Sequence, residues 1–228
     1  MSVERAAGAL LILMPIAFNV CFALLGRSFD YPDILRRPTS EVLSRFRSGG
    51  VGLVLLWWVF ALTALLFAPV AVLLAFAVVG ASSALVAVAA VTGVLAATVQ
   101  VLGLIRWPFL VPYLARADAD ASPARREAID VVFQAFHRYL GVAVGEHLGY
   151  LFTGGWTVLS GVAVIQATNT PWWLGVVGIV IGAVLSICSL EFVGTFEQNG
   201  WKLAGTVVPI AYVAWSLWLV GLGIALLL

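Results

Sequence analysis

Charged side chains are scarce in this chain. Asp, Glu, Lys and Arg make up 10% of its 228 residues, whereas about 25% is typical of soluble proteins. Hydrophobic residues account for 63%, which is more apolar surface than a soluble fold of this length can bury. The formal net charge is only +1, and no basic run is long enough to follow a phosphate backbone. The composition therefore excludes a soluble domain, gives no support for a nucleic-acid partner, and predicts that a lipid bilayer surrounds most of the chain.

Cysteine and histidine are also rare, with two residues of each. Cys21 and Cys188 lie in apolar runs, where free thiols behave as small hydrophobic side chains, so no disulfide framework is expected. His137 and His147 are ten residues apart, which is about 15 Å along a helix, so they do not share one metal or haem. The sequence therefore predicts no metal site and no cofactor.

Recognisable catalytic motifs are missing as well. Glu146-His147 does not have the spacing of a His-Glu-x-x-His zinc protease, and Ser160-Gly161 lacks the preceding glycine of a nucleophile elbow. Lys202 is the only lysine, and no glycine-rich phosphate loop precedes it. No motif therefore supports an enzyme, and the sequence leaves that question open.

Six long apolar runs fill most of the chain. A polar break at Gly80-Ala81-Ser82-Ser83 divides residues 51–105, which are too long for one span, into a hairpin. About 20 helical residues are needed to cross a hydrocarbon core of about 30 Å. The sequence therefore predicts one all-α transmembrane domain over residues 1–228, a bundle of six helices. The predicted spans are residues 6–25, 51–79, 83–110, 129–165, 172–194 and 203–227.

A short amphipathic segment lies between the first two predicted spans. Within residues 40–47, the apolar side chains of Val42, Leu43 and Phe46 fall on one helical face, and Ser48-Gly49-Gly50 follows. This pattern predicts a short helix that lies in the membrane interface and ends at the glycines.

Small residues recur at every fourth position on three of the predicted helices. The repeats are Ala89-Gly93-Ala97, Gly141-Gly145-Gly149 and Gly178-Gly182. This spacing lets helix backbones approach each other closely. We therefore expect the third, fourth and fifth spans to form the packed centre of the bundle, with the glycines of the fourth span against the third or fifth.

Polar side chains inside the spans are the candidate functional residues, because a charge at the bilayer centre costs at least ~3 kcal/mol. Counting along the helices places them in one half of the membrane, on the side of the first, third and fifth loops. Charged side chains near helix ends are tolerated because they pair with one another or extend (snorkel) to the membrane surface. Glu146 and His147 lie too deep in the membrane for their side chains to reach that surface easily. The candidates are Asn19, Gln100, Arg106, Gln134, His137, Arg138, Glu146, His147 and Glu191.

Four stretches of the chain resemble a known family. They are residues 29–36 (Phe-Asp-Tyr-Pro-Asp-Ile-Leu-Arg), 100–107 (Gln-Val-Leu-Gly-Leu-Ile-Arg-Trp), 133–139 (Phe-Gln-Ala-Phe-His-Arg-Tyr) and 145–150 (Gly-Glu-His-Leu-Gly-Tyr). The pattern is similar to that of the domain-of-unknown-function 4386 family of bacterial membrane proteins. This resemblance implies a six-helix protein of the bacterial cytoplasmic membrane, and it supplies no catalytic residues.

We interpret the polar residues as the lining of a cavity that opens to the cytoplasm and binds a small lipid-soluble or amphipathic ligand. Two alternatives stay open: a proton-coupled transporter that uses Glu146 and His147, and a structural or accessory subunit whose charges only set packing. The sequence does not determine how many copies of the chain associate. The predicted lining residues are Gln100, Arg106, Gln134, His137, Glu146, His147 and Glu191.

Basic residues predict the orientation of the chain. Nine of them fall on the side of the first, third and fifth loops, and positive charges stay in the cytoplasm, so we predict that both termini face outward. A reporter enzyme that works only outside the cytoplasm should be active at the C-terminus and inactive in the third loop. The reverse pattern would contradict this orientation. The nine residues are Arg27, Arg36, Arg37, Arg45, Arg47, Arg116, Arg125, Arg126 and Lys202.

Overall fold

A computed structural model describes residues 2–228, which are almost entirely helical and contain no β-strand. The helices are α1 (Val3–Phe29), α2 (Thr39–Leu65), α3 (Phe67–Ala77), α4 (Ser83–Phe109), α5 (Val111–Asp118), α6 (Pro123–Phe136), a π-helix (His137–Leu148), α7 (Gly149–Gln166), α8 (Trp172–Cys188) and α9 (Lys202–Leu227). Short 3-10 turns lie at Asp33–Arg36, Ser189–Phe192 and Gly194–Phe196. The predicted all-α class is confirmed.

These segments join into six runs that are long and apolar enough to cross a membrane, which confirms the predicted six-helix bundle. The runs, called the first to sixth spans below, are Val3–Phe29, Thr39–Ala77, Ser83–Asp118, Pro123–Gln166, Trp172–Phe192 and Lys202–Leu227. Several exceed the predicted apolar segments because their helices continue through charged sequence. The fourth span, for example, begins at Pro123 directly after Ser122, a position that proline favours at a helix start.

The predicted short helix between the first two spans is present as the beginning of α2. Gly50 divides α2, because its φ of 57° and ψ of −153° interrupt the helix, and only glycine adopts this conformation without strain. In the part before Gly50, the predicted apolar face of Val42, Leu43 and Phe46 is buried. The glycine therefore separates a short amphipathic helix from the transmembrane part of the second span.

Contacts between loops and between helix ends define the two ends of the bundle. At one end the second and fourth loops are joined, since the amide N–H of Thr168 donates to the carbonyl of Val79 (2.9 Å). At the other end Arg47 of α2 donates to the carbonyl of Ala115 (2.8 Å) in α5. The first, third and fifth loops share this second end, which is called the loop-1 end below.

Glycine contacts bring the middle spans together at the backbone. The fourth span packs on the third as predicted, since a Cβ atom on Gly145 would lie 3.0 Å from the Cα of Gly103. A second contact joins the fourth and fifth spans, where a Cβ atom on Gly175 would lie 2.4 Å from the carbonyl oxygen of Gly161. The sequence pattern had indicated the first contact, but it had not singled out Gly161 or Gly175.

Three clusters of buried side chains surround the polar residues. The largest includes Trp156 and Trp215 and fills the half of the bundle near the termini. A second, aromatic cluster includes Trp57 and Trp107 at the loop-1 end. A small third cluster around Cys188 joins the fifth and sixth spans. The polar centre described below lies where these three clusters meet.

The contact at Gly145 generates a stability prediction. Gly145→Leu should destabilise the bundle by about 1–3 kcal/mol, because the new side chain must push the third and fourth spans apart. The measurement is thermal unfolding in detergent. Gly52→Leu is the control, because a Cβ atom on Gly52 meets nothing within 4 Å. Equal melting of Gly145→Leu and the parent would show that this contact does not hold the bundle.

Candidate functional site

A π-helix carries most of the ionisable candidates. His137, Arg138, Glu146 and His147 all lie in the 12-residue segment His137–Leu148. Runs of π-helix are rare and are frequently found at functional sites. The sequence predicts an ordinary α-helix for the fourth span, because no residue pattern in it marks the i→i+5 hydrogen bonds of a π-helix. The directions of these side chains therefore do not follow from counting along an α-helix.

His147 is directed towards the fifth span. Its Nδ1 atom lies 2.7 Å from the backbone carbonyl of Ser189, so it acts as a donor when this nitrogen carries the proton. The Ser189 hydroxyl in turn donates to the carbonyl of Ser186 (2.7 Å). His147 is thus a link between the fourth and fifth spans.

Arg106 is held by its own helix and by the π-helix. One terminal nitrogen donates to the Gly103 carbonyl, and the other lies 3.5 Å from Nδ1 of His137. The guanidinium also lies 5.4 Å from the centre of the Trp107 ring, within the range of a cation–π contact. It passes over Gly141, where a Cβ atom would come within 2.6 Å of it. The glycine therefore makes room for the arginine.

Glu146 has charged neighbours but no direct partner. Within residues 2–228 no side chain or backbone group forms a hydrogen bond or an ion pair with its carboxylate, although the charges of Arg106, Arg36 and Glu191 act on it. Its side chain is half-buried. An intramembrane carboxylate is ordinarily paired or hydrated, so the Glu146 carboxylate is free to accept a hydrogen bond from a donor outside residues 2–228.

Three tyrosines lie within electrostatic range of Glu146, and the rule for charges inside a membrane does not select them. They are Tyr31, Tyr150 and Tyr212, each close enough to feel the Glu146 charge. The rings of Tyr150 and Tyr212 lie 5.5 Å apart at 63°. Tyr150 follows Glu146 by four residues, a spacing that could have signalled it, whereas Tyr31 and Tyr212 come from the first loop and the sixth span.

Tyr31 connects the first loop to this group. Burial raises the pKa of its phenol above the usual value, Glu146 adds to that rise, and Arg106 opposes it. The phenol therefore stays protonated at neutral pH and is able to donate a hydrogen bond. We refer to Arg106, His137, Glu146, Glu191 and the three tyrosines as the Glu146 centre.

Glu191 approaches this centre from the 3-10 turn that follows α8. Its carboxylate packs on Gly205 of α9, where a Cβ atom would lie 2.9 Å from its Oε1 atom. Its backbone carbonyl accepts a hydrogen bond from the amide of Trp201 (2.7 Å). In the described part of the chain no basic group lies within 4.0 Å of this carboxylate, although Arg36 is within electrostatic range.

The two glutamines have separate positions. Gln100 donates to the hydroxyl of Thr153 (2.9 Å) and lies below the Glu146 centre, towards the termini. Gln134 donates instead to the hydroxyl of Thr39 (3.0 Å), and Thr39 donates to Asp130. Gln134 therefore holds the short helix of α2 onto α6 and does not face Glu146.

Asn19 and Arg138 also lie apart from the centre. Asn19 donates to the carbonyl of Pro15 (2.7 Å) and to the hydroxyl of Ser216 (3.0 Å), so it links the first and sixth spans. Arg138 forms an exposed ion pair with Glu197 of the fifth loop (2.5 Å).

Two narrow crevices between the spans each have about 10 Å³ of free volume, which is room for about one water molecule. One is lined by Gln100 and Tyr212 beside Met14 and Phe18, and the other lies among α3, α4 and α7. Glu146 itself lines neither of these two crevices. Residues 2–228 contain no group of three or more His, Cys, Asp or Glu side chains arranged to hold a metal ion.

Comparison with known proteins gives the family. The family model described as domain of unknown function (DUF4386) matches residues 6–226. The chain belongs to this family. No curated protein and no solved structure matches the chain. The match covers all six spans, and it includes every residue of the Glu146 centre.

The Thr39 contact generates a prediction about the short helix of α2. Thr39→Val should lower stability by about 1–3 kcal/mol, because Gln134 and Asp130 lose a partner at a site where Thr39 is only 6% exposed. Thermal unfolding in detergent measures this loss. Thr206→Val is the matched control, since the Thr206 hydroxyl is exposed and bonds only within its own helix. Equal losses in the two variants would show that the hydroxyl of Thr39 has no special role.

Proposed function

We propose that this membrane protein binds a small lipid-soluble or amphipathic molecule at the Glu146 centre. The observation that carries this proposal is the half-buried Glu146 carboxylate, which lacks a contacting partner within the described residues. A ligand group that donates a hydrogen bond to this carboxylate would supply the missing partner. Apolar walls with a few convergent polar groups are typical of small-molecule sites, and the aromatic cluster beside Tyr31 provides such a wall.

Two observations favour ligand binding over the alternatives. A transporter needs a polar path through the other half of the bundle, where Trp156, Trp215 and Phe67 pack against one another. A purely structural subunit is expected to pair its buried charges, and within residues 2–228 no basic group lies in ion-pair contact with Glu146. The ligand-binding proposal fits both observations.

The proposed location of the site follows from the orientation of the chain. The Glu146 centre lies towards the loop-1 end, which carries most of the basic residues. We propose that this end faces the cytoplasm of a bacterial cell, in keeping with the distribution of positive charge. The ligand would then reach the protein from the cytoplasm or from the inner leaflet.

Glu146→Gln tests the proposed function. Small molecules that stay bound through purification should be found by mass spectrometry in the parent and be depleted in this variant, because the amide does not retain the charge of the carboxylate. Glu197→Gln is the control, since Glu197 pairs with Arg138 at the surface and lies outside the centre. Circular dichroism checks that both variants are folded. Equal amounts of bound molecule in all three proteins, or none in any, would contradict the proposal.

A further inference from the structure

We propose that Arg47 of α2 and Arg116 of α5 bind the phosphate of one anionic phospholipid at the loop-1 end. This site is separate from the Glu146 centre, and the inference does not rest on the proposed function. It follows from three features: a contact that brings the two arginines together, the lack of an acidic partner for either, and an exposed stripe of the third span that leads to Arg116.

A hydrogen bond between α2 and α5 brings the two arginines together. The Nη1 atom of Arg47 donates to the carbonyl of Ala115 (2.8 Å), and Arg116 is the residue bonded to this carbonyl. Because the peptide unit is planar, the Cα atom of Arg116 lies about 3 Å from the same oxygen. Both side chains are exposed, and the hydrogen bond leaves other N–H groups of Arg47 available. The guanidinium of Arg116 is therefore within reach of a phosphate that Arg47 contacts.

Neither arginine has an acidic partner. Within residues 2–228 no carboxylate lies within 4.0 Å of Arg47 or Arg116. Asp118 of α5 faces inward, with a side chain that is 10% exposed, and pairs with Arg126 at 3.9 Å. Asp120 is exposed beyond the end of α5. The two arginines thus form a positive patch with no contacting counter-ion, and guanidinium groups bind phosphate through charge-assisted hydrogen bonds.

An exposed stripe of the third span leads to Arg116. Phe109 and Tyr113 are 69% and 61% exposed, and Arg116 follows them at helical spacing on the same face. The helix continues through this stretch, since the amide of Leu114 donates to the carbonyl of Leu110 (3.1 Å). Phe109 and Arg116 are about 10 Å apart along the helix axis, and tyrosine is enriched at the headgroup level between them. The order of the three side chains matches the acyl chain, glycerol region and phosphate of one lipid.

The head group that fits this patch has a net negative charge. Basic residues at a membrane surface attract anionic lipids. A zwitterionic lipid would bring an ammonium group next to the two guanidinium groups, and like charges repel. A free phosphate has no acyl chain to place along Phe109. The patch therefore favours an anionic phospholipid over both.

Native mass spectrometry of the delipidated full chain in detergent tests this site. Dioleoylphosphatidylglycerol and dioleoylphosphatidylcholine are titrated separately, and the fraction of protein with one bound lipid is measured. We expect phosphatidylglycerol to bind at least about fivefold more tightly, and to lose at least about fivefold in affinity in Arg47→Gln/Arg116→Gln. Arg36→Gln/Arg125→Gln is the control, because it removes the same charge from two other exposed positions near the loop-1 end, and it should bind as the parent does.

Arg47 also joins α2 to α5, so two further variants separate lipid binding from folding. Arg116→Gln keeps the contact with Ala115 and should still weaken phosphatidylglycerol binding, whereas Arg116→Lys keeps the charge and should retain most of it. Equal binding of the two lipids, equal losses in the two double variants, or unchanged binding in Arg116→Gln would overturn the proposal. Displacement of phosphatidylglycerol by excess glycerol phosphate would indicate a site for soluble phosphate and would overturn it as well.

Discussion

The contact between the backbones of Gly103 and Gly145 determines where the polar residues of this protein lie. Because neither residue has a side chain, α4 approaches the π-helix closely enough for Arg106 to pass over Gly141 and reach His137. The same approach fixes the position of Glu146, one residue beyond Gly145. A larger residue at either glycine would separate the two helices and move the arginine away from the π-helix. The geometry of the Glu146 centre therefore depends on the absence of a side chain at Gly103 and at Gly145.

Much of the fold could be predicted because the bilayer limits the available architectures. The six spans follow from long apolar runs, and the short helix before Gly50 follows from its one-sided face and the glycines after it. The contact of Gly145 with Gly103 follows from the spacing of small residues. These features depend on local sequence patterns and on the lipid surroundings that the composition implies. A single sequence is therefore enough to predict them.

The site was less predictable because its members meet through tertiary packing. Glu146 and Glu191 follow from the rule that intramembrane charges need a reason, but the direction of the Glu146 side chain depends on the π-helix and that of Glu191 on the 3-10 turn after α8. Gln134 fits the same rule, yet its partner Thr39 is 95 residues away and holds it outside the centre. Tyr31 and Tyr212 are not charged, so the rule does not select them. Hydropathy selects charged residues because they are unusual inside a membrane. A site also uses uncharged residues such as Tyr31 and Tyr212, which hydropathy does not select.

The two ends of the bundle are held by different kinds of interaction. Neutral hydrogen bonds join the second and fourth loops, including those that Asn169 makes with Val79 (3.1 Å) and Ala77 (2.8 Å). At the loop-1 end, exposed ion pairs such as Arg45–Asp30 (3.1 Å) and Arg138–Glu197 are prominent. Dissolved salt screens exposed charges and has little effect on neutral bonds. We therefore expect a rise in ionic strength to weaken contacts at the loop-1 end, next to Glu146, more than the contacts between the second and fourth loops.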